Sequence, residues 1–410
     1  MTSYRSVLSI PGSARLYASG LLARLPQGMG SLALLLLVHA STRSYAAAGV
    51  AVGAYALATA AMAPVQGRLV DRFGRMRILA PSGVGQGAAF VAVVLVAHAH
   101  APAAVLVLLC GLAGGLQPPF AATVRAMLRD VVRDPGTRES AYALESVAQE
   151  LIWITGPLIV AVVISATSDA GAVLVVAAFS VIGALVFVTS PLARAGVREV
   201  AHSNRRAALA SRALRALLLP VVLTGVSLGA IEVGIPSLAL HAGARWASGL
   251  LLALWSVGSI AGGLWYGSRS WRIPLSARYR NLLAAGVLCT APLIVARSVP
   301  AGVVASLLAG LTTAPMFSCQ YALVGRTVTA GSETEAFAWV AAALVSGIAA
   351  GSAAGGAVIG ALGVSAPFVL SCLAIGSAAG LALRAQDAHP EAQVASLDPG
   401  SRSSTPVSSS

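Results

Sequence analysis

Long runs of apolar residues alternate with short polar stretches along most of the chain. A run of about 20 apolar residues is long enough for a helix that crosses a lipid bilayer. The pattern therefore predicts an all-α membrane protein with twelve transmembrane helices joined by short loops. These helices are expected at residues 13–38, 44–66, 78–98, 101–124, 141–165, 171–190, 216–240, 247–267, 280–297, 301–325, 334–360 and 364–384.

The composition supports this class and excludes others. The chain of 410 residues is 57% hydrophobic and 10% charged, whereas soluble domains average about 25% charged residues. The net charge of +13 comes from arginines in the short loops, so no nucleic-acid partner is expected. The four cysteines lie inside apolar runs without a C-x-x-C motif. We find no sequence sign of a metal site, a cofactor or a catalytic triad, and predict that the protein is not an enzyme.

The arginines are divided unequally between the two sides of the predicted membrane. If the N-terminus lies in the cytoplasm, 23 arginines fall on the cytoplasmic side and only Arg43, Arg245 and Arg297 fall outside. Loops rich in arginine tend to stay in the cytoplasm during membrane insertion. We therefore predict a multi-pass protein of the cell membrane with both termini in the cytoplasm.

The two halves of the chain repeat each other. Shifting the second half back by 195 residues places Gly351 on Gly156, and a shift of 196 places Gly263 on Gly67. A repeat in the same orientation predicts two six-helix halves related by a pseudo-twofold axis along the membrane normal. The predicted organisation is a cytoplasmic segment (1–12), an N-terminal half (13–191), a cytoplasmic linker (192–215), a C-terminal half (216–384) and a disordered cytoplasmic tail (385–410).

A charged hairpin joins the second and third predicted helices. Gly67 and Gly74 are suited to a close backbone approach or to a turn with positive φ. Asp71 has several basic neighbours, among them Arg72 and Arg75, and these are expected to pair its charge. The segment is expected to leave the membrane, turn tightly and re-enter it.

The hairpin resembles the loop signature of the major facilitator superfamily, which reads G-x-L-a-D-r-x-G-r-k-x-x-l. The residues in register are Gly67, Leu69, Asp71, Arg72, Gly74, Arg75 and Leu79. Met76 stands where the family usually has Lys or Arg. The resemblance implies a transporter of two six-helix halves, in which this hairpin is a cytoplasmic gating loop that helps to latch the outward-facing state.

Few ionisable residues lie deep inside the predicted helices, where charge is costly and often functional. Arg24 lies about 11 residues into its helix, roughly 16 Å deep, and Gln27 shares its face. Glu150 lies about 9 residues into the fifth helix, roughly 14 Å deep. Because the first and fifth helices are neighbours in the resembled family, Arg24 and Glu150 are expected to pair or to share a central cavity. Arg24 is expected to bind an anionic group of the substrate or to form a structural ion pair.

Further polar residues lie near the same depth. Glu145 and Gln149 share another face of the fifth helix, and we interpret Glu145 as a structural charge that pairs with a loop arginine. Glu232 lies in a stretch rich in Gly and Pro that is expected to unwind. It is expected to line the outer vestibule or carry a proton; alternatively it pairs with Arg245 or Arg43.

Small residues predict close helix packing in both halves. These residues are Gly156 and Pro157 in the fifth helix and Gly347, Gly351 and Gly355 in the eleventh. Arg125 is expected to be a structural charge that anchors the inner membrane face. Trp153 follows Glu150 by three residues and either lines the cavity or faces lipid.

We conclude from the sequence that the chain is a secondary transporter, expected to work as a monomer in the lipid bilayer on a small-molecule substrate and protons. Analogy with bacterial members of the resembled family and the Gly-Pro pair of the fifth helix favour proton-coupled efflux of a small organic molecule by alternating access. The alternatives are proton-coupled uptake of an organic anion, with Arg24 as the clamp, and a non-transporting membrane sensor. The predicted substrate and proton pathway comprises Arg24, Gln27, Gln149, Glu150, Trp153 and Glu232.

Overall fold

The computed structural model describes residues 2–99, 101–132, 134–195, 208–244, 247–328 and 331–387. Within these ranges the regular structure is helical, and no strand occurs. The helices of the first half are α1 (Thr2–Leu8), α2 (Ser13–Thr42), α3 (Tyr45–Phe73), α4 (Arg75–His98), α5 (Ala103–Gly115), α6 (Phe120–Val131), α7 (Pro135–Ala166), α8 (Asp169–Thr189) and α9 (Pro191–Ala195). After a 3₁₀ turn (Ala208–Ala210), those of the second half are α10 (Arg212–His241), α11 (Ala247–Gly267), α12 (Leu275–Thr290), α13 (Pro292–Val295), α14 (Val299–Gly310), α15 (Thr313–Thr327), α16 (Glu333–Leu362) and α17 (Ala366–Asp387).

Ten helical stretches among the described residues are long and apolar enough to cross a membrane. The predicted helix at 280–297 falls on α12 and α13, which are interrupted near Ala291. The predicted helix at 364–384 falls on α17, whose apolar part is shorter. Twelve crossings therefore stay a prediction. Much of the linker (192–215) and nearly all of the tail (385–410) lie outside the described residues.

The fourth predicted helix is interrupted where two prolines follow each other in sequence. α5 stops before them and α6 starts after them, because Pro lacks the backbone N–H that a continuous helix needs. The carbonyl groups freed at the end of α5 are satisfied by side chains of neighbouring helices. Gln86 Nε2 donates to the Ala113 oxygen at 3.3 Å, and Gln66 Nε2 donates to the Gly115 oxygen at 2.6 Å.

The sequence predicts a cytoplasmic loop at residues 125–138, between the fourth and fifth predicted helices, but α6 and α7 cover most of these residues. Its first arginine, Arg125, is buried inside α6, although loop arginines were expected at the membrane surface. Asp134 caps α7, since its carboxylate accepts the Thr137 N–H at 2.7 Å. Hydrogen bonds from the side chain and backbone of Thr137 hold the pKa of Asp134 below its usual range.

The charged hairpin is tighter than expected. α3 continues to Phe73, α4 begins at Arg75, and Gly74 between them has φ +91°, an angle at which any side chain is strained. Gly67 serves a different purpose. A Cβ at Gly67 would lie 2.9 Å from the carbonyl oxygen of Thr334 in the other half. The hairpin is therefore a one-residue turn, and Gly67 permits close contact with α16.

Proline does not break three of the long membrane helices, α2, α7 and α10. Pro26 lies inside α2, Pro157 inside α7 and Pro236 inside α10, and each helix is continuous. The expected unwinding beside Glu232 is therefore wrong, and no break occurs beside Arg24. In an apolar environment an unwound segment leaves backbone groups without hydrogen bonds, so a continuous helix with a proline is favoured.

In both halves the first long helix packs against the fifth through glycines. A Cβ at Gly156 of α7 would lie 2.5 Å from the carbonyl carbon of Gly28 in α2. In the second half, a Cβ at Gly347 or Gly351 of α16 would overlap a backbone oxygen of α10, whereas Gly355 is packed less tightly, at 3.3 Å. Such contacts bring two helix backbones together. The same contact in each half is consistent with the predicted repeat.

Gly351→Ala should destabilise the protein, because a methyl group has no space between α16 and α10. We expect a loss of about 1–3 kcal/mol, as in other overpacked sites, visible as a lower Tm in detergent. Gly356→Ala is the matched control, since a Cβ there meets nothing within 4 Å and Ala favours the helix. Equal Tm values for the two variants would contradict this packing.

Candidate functional site

A buried ion pair joins α2 and α7 inside the first half. Both terminal guanidinium nitrogens of Arg24 donate to the carboxylate of Glu145, and Arg24 Nε donates to the Gly20 oxygen at 3.0 Å. The two side chains are 1% and 0% exposed. The expected pair of Arg24 with Glu150 is therefore wrong in this structure. Glu145 lies on the side of α7 that faces α2, and Glu150 lies about 140° further around the helix.

A second arginine shares the Glu145 carboxylate. Arg125 Nε lies 3.6 Å from it, and Arg125 Nη2 donates to Gln149 Oε1 over 3.4 Å. The Arg125 guanidinium also stacks on the ring of Tyr321 in the second half, 3.9 Å from the ring centre. Glu145 was expected to pair with a loop arginine; its partners are two arginines, both inside helices. The two guanidiniums and one carboxylate carry one excess positive charge.

Glu150 faces the second half. Its carboxylate accepts a hydrogen bond from Ser259 of α11 at 3.0 Å. It also interacts electrostatically with Glu232 of α10. The two carboxylates, which belong to different halves, are therefore within electrostatic range of each other. In the described part of the chain, neither of them forms an ion pair.

The remaining predicted pathway residues are less closely tied to these charges. Gln149 belongs to the buried group through Arg125. Gln27 is half-buried on α2, and Trp153 is 50% exposed on α7. No three His, Cys, Asp or Glu side chains come together as a possible metal site in the ranges that the structure describes.

The predicted gating loop forms a contact between the halves. Asp71 accepts the backbone N–H groups of Thr334, at 3.2 Å, and Glu335, at 2.8 Å, in the first turn of α16. The N-terminus of a helix attracts negative charge, because its first N–H groups are unpaired and its dipole is positive there. Arg68 also pairs with Glu335, at 3.5 Å. We name these four residues the Asp71 latch.

Arg68 and Arg75 pair with carboxylates other than Asp71, so the expected local pairing is wrong for these two arginines. Arg129 of α6 extends the cross-half contact by pairing with Glu333 at 2.9 Å. Arg75 pairs with Asp130 of its own half at 3.2 Å, and Arg72 stacks on the neighbouring ring of Phe73. The carboxylate of Asp71 thus binds the N-terminus of α16 in the opposite half.

A third group of charges joins the halves, and the sequence analysis missed it. Glu139 of α7 accepts hydrogen bonds from Arg278 of α12, at 2.7 and 2.8 Å, and from Arg326 of α15, at 3.2 Å. We name these three residues the Glu139 cluster. Arg278 also donates to the hydroxyl oxygen of Tyr266 at 2.8 Å and lies near the ring of Trp271.

The internal repeat contained a signal for this cluster. The shift of 195 residues maps Thr334, a partner of Asp71, onto position 139 (334 − 195 = 139). Glu139 therefore occupies the position of a latch residue in the first half. It was overlooked because it falls between the predicted loop at 125–138 and the predicted helix that starts at 141.

Together these contacts close one end of the helix bundle. This end carries Arg129, Arg278 and Arg326, and we call it the arginine-rich end. The cross-half hydrogen bonds and ion pairs described above lie between this end and the level of Glu150. Three of the carboxylates described above, Glu139, Glu145 and Glu150, belong to the single helix α7.

The sequence profile described as Major Facilitator Superfamily matches residues 16–299, which is more than half of the chain. The chain belongs to the Major Facilitator Superfamily. Among proteins of curated function, none matches the sequence. Membership of this superfamily confirms the predicted fold and identifies a membrane transporter with a small-molecule substrate, not an enzyme.

Solved structures of other transporters show the same superfamily fold. The human organic anion transporter MFSD10 (TETRAN) is 17% identical, with a TM-score of 0.71 over 91% of this chain and 99% of that one. A bacterial homologue of the iron transporter ferroportin, solved in an outward-facing state, is 12% identical, with a TM-score of 0.74 over 91% of this chain and 99% of that one. Identities this low establish a common fold and leave the substrate to other arguments.

Glu145→Gln should destabilise the transporter more than Glu150→Gln, because Arg24 and Arg125 then lose their shared buried counterion. Removing one member of a buried ion pair typically costs about 3–5 kcal/mol. Glu150→Gln keeps an oxygen that can accept the Ser259 hydrogen bond. The measurement is the Tm of each purified variant, and a Glu150→Gln variant with the lower Tm would contradict the assignment.

Proposed function

We propose that the chain is a proton-coupled exporter of small organic molecules that works as a monomer in the cell membrane by alternating access. One observation carries the proposal. Glu150 and Glu232 lie in membrane helices of different halves and are within electrostatic range of each other, and neither forms an ion pair among the described residues. They are therefore the best candidates for carboxylates that bind and release protons.

The cost of charge in a membrane explains why such carboxylates suit proton coupling. An acidic side chain at the bilayer centre costs about 2.5–3.5 kcal/mol on insertion scales. Glu145 offsets that cost with two arginines, whereas among the described residues Glu150 has a hydroxyl donor and no counterion. A carboxylate without a counterion can be neutralised by a proton in one conformation and ionised by water or substrate in the next.

Accessibility of the charged groups supports antiport. Glu150 is half-buried and Glu232 is exposed, while Arg24 and Arg125 are both buried. A substrate that reaches this region meets carboxylates first. If it carries a positive charge or hydrogen-bond donors, it competes with protons for them. Proton binding from one side then favours release of substrate to that side, which is the defining event of antiport.

The closed arginine-rich end supports export as the direction of transport. If this end faces the cytoplasm, as the distribution of arginines predicts, the structure is closed to the cytoplasm. The bacterial ferroportin homologue of similar fold was solved in an outward-facing state. In such a state an exporter takes up protons from outside and releases its substrate there.

A second candidate is proton-coupled uptake of an organic anion, and Arg125 favours it. The Nε of Arg125 is buried without a hydrogen-bond partner, and the cluster has one excess positive charge. Arg24 is a poorer clamp than predicted, because Glu145 already occupies its guanidinium. MFSD10, whose structure is similar, is a human organic anion transporter. Protonation of Glu150 would strengthen anion binding, so proton and anion would move together.

Glu150→Gln should abolish substrate-dependent proton movement while leaving substrate exchange, because the amide cannot bind a proton near neutral pH. The measurement is proton flux and substrate accumulation in everted vesicles against a compound panel. Wild type should accumulate its substrate when the vesicle interior is acidic. Asp130→Asn, at a half-exposed carboxylate, is the control and should behave as wild type.

Two results of this assay would contradict export by antiport. Normal proton coupling in Glu150→Gln would remove the proposed carrier. Accumulation of an anionic compound in right-side-out vesicles, driven by external acid and lost in Arg125→Gln, would establish the second candidate instead.

Arg77→Cys should react with a membrane-impermeant maleimide only from the cytoplasmic side, because Arg77 is exposed at the start of α4 on the side predicted to be cytoplasmic. Ala166→Cys, exposed at the far end of α7, should react only from outside. The measurement is labelling of intact and everted membranes. The reverse pattern would overturn the proposed orientation.

A further inference from the structure

We propose that the turn between α11 and α12 binds the headgroup of an acidic phospholipid through Arg269 and Arg272. We call residues 268–274, which connect these two helices, the α11–α12 turn. The inference goes beyond the proposed function, because it requires only that the chain lies in a membrane. It does not depend on the substrate, the coupling ion or the direction of transport.

The middle of the second half carries positive charge that it cannot neutralise by itself. Residues 233–332 contain seven arginines and no Asp or Glu. Two of these arginines pair with Glu139 of the first half. Arg269 and Arg272 are exposed, and neither forms an ion pair with a carboxylate in the part of the chain that the structure describes. Two such guanidiniums at a membrane surface attract anionic lipids.

The length of α11 indicates that both arginines lie at the level of the lipid phosphates. α11 has 21 residues, so it is roughly 31 Å long at 1.5 Å per residue. The hydrocarbon core of a bilayer is about 30 Å thick, and α11 is therefore just long enough to cross it. Arg269 follows the end of α11 by two residues and Arg272 by five. We therefore expect their guanidiniums in the headgroup region.

Aromatic rings hold the α11–α12 turn in a defined shape. Arg269 lies over the ring of Trp265, 4.9 Å from its centre, which is within the range of a cation–π contact. Trp265 contacts the ring of Trp271 edge to face, with centres 5.5 Å apart, and Trp271 stacks on Tyr266 at 5.1 Å. The Trp271 indole N–H also donates to the Tyr266 carbonyl oxygen at 3.0 Å. The Arg269 guanidinium is therefore preorganised, so it loses less conformational entropy when it binds a headgroup.

Arg272 is close enough to Arg269 to contact the same headgroup. The two residues are three apart in sequence, so their Cα atoms are separated by at most about 11 Å. Each guanidinium offers paired N–H donors that match the oxygens of a phosphate group. The two arginines can therefore hold one headgroup from two sides.

Exposed apolar side chains beside the arginines favour a lipid over a soluble anion. Trp265 is 49% exposed and Ile273 is 46% exposed. Tryptophan at the end of a membrane helix typically lies among the lipid headgroups. A soluble phosphate would leave both side chains in water, whereas a phospholipid covers them with its glycerol and acyl groups. An acidic headgroup is favoured over a zwitterionic one, because the turn offers no carboxylate to pair with choline or ethanolamine.

The first hairpin shows how the corresponding charges are neutralised in the other half. There Arg68 pairs with Glu335 at 3.5 Å, and Arg75 pairs with Asp130 at 3.2 Å. The α11–α12 turn has exposed arginines without such partners among the described residues. We infer that a phospholipid takes the place that protein carboxylates have at the first hairpin.

The test is the affinity of the purified full-length protein for single lipids, measured by native mass spectrometry in detergent. The probes are phosphatidylglycerol and phosphatidylcholine with identical acyl chains, and wild type should bind phosphatidylglycerol more tightly. Combining Arg269→Gln with Arg272→Gln should weaken phosphatidylglycerol binding about 25-fold, or about fivefold for each arginine. The affinity for phosphatidylcholine should not change.

A matched control separates a defined site from general attraction by charge. Arg77 and Arg212 are also exposed, at the start of α4 and of α10. Combining Arg77→Gln with Arg212→Gln removes the same charge without changing the turn, and this variant should bind phosphatidylglycerol as wild type does. Trp265→Leu keeps both arginines and an apolar side chain. It should weaken phosphatidylglycerol binding about two- to fivefold, because the cation–π contact with Arg269 is lost.

Three results would overturn the proposal. One is equal weakening in the control, which would mean that net charge alone attracts the lipid. Another is wild-type affinity for phosphatidylglycerol in the Arg269→Gln, Arg272→Gln protein at an unchanged Tm. The third is full displacement of the lipid by an equal concentration of glycerophosphoglycerol, the same headgroup without acyl chains, which would make the ligand a soluble phosphate ester. These measurements require no transport, so their outcome is independent of whether the proposed function holds.

Discussion

A charge inside a membrane must be neutralised by a neighbouring group, and three glutamates of α7 show this constraint in three ways. Glu145 is neutralised by two buried arginines and is a fixed structural charge. Glu139 is neutralised by arginines of the opposite half. Glu150 accepts a hydrogen bond from the Ser259 hydroxyl and has no arginine partner in the described structure. One helix therefore carries a carboxylate paired within its half, one paired across the halves and one without a counterion, and the difference lies in their partners.

This arrangement offers a mechanical link between proton binding and gating. Glu139 and Glu150 lie on one continuous helix. A displacement of the helix at either residue therefore moves the other residue as well. Between them, Tyr142 packs against Tyr321, whose ring also contacts Arg125. Loss of the Ser259 contact and loss of the Glu139 contacts both require α7 to move relative to α11, α12 or α15. Under the proposed function, the proton-binding carboxylate and the contacts between the halves would therefore move together.

The sequence was sufficient for the features that depend on depth and local conformation. Apolar length predicted the helices, and spacing predicted that Gly67 and Gly74 serve close approach and a turn. It was insufficient for features that depend on helix rotation or on distant partners. Arg24 and Glu150 have similar depths, but rotation of α7 presents Glu145 to α2 instead. The partners of Asp71 lie more than 260 residues away in the chain and are backbone groups, which no side-chain pattern reveals.

The single-residue turn at Gly74 has a consequence for how the first half moves. A longer loop would allow the end of α3 to swing while α4 stays in place. With only Gly74 between them, the ends of α3 and α4 form one stiff unit. The hairpin therefore moves as one rigid unit with its helices and not as an independent loop. A force on Asp71 therefore tilts these helices together. In this way one local contact, that of Asp71 with α16, can control the orientation of half the protein.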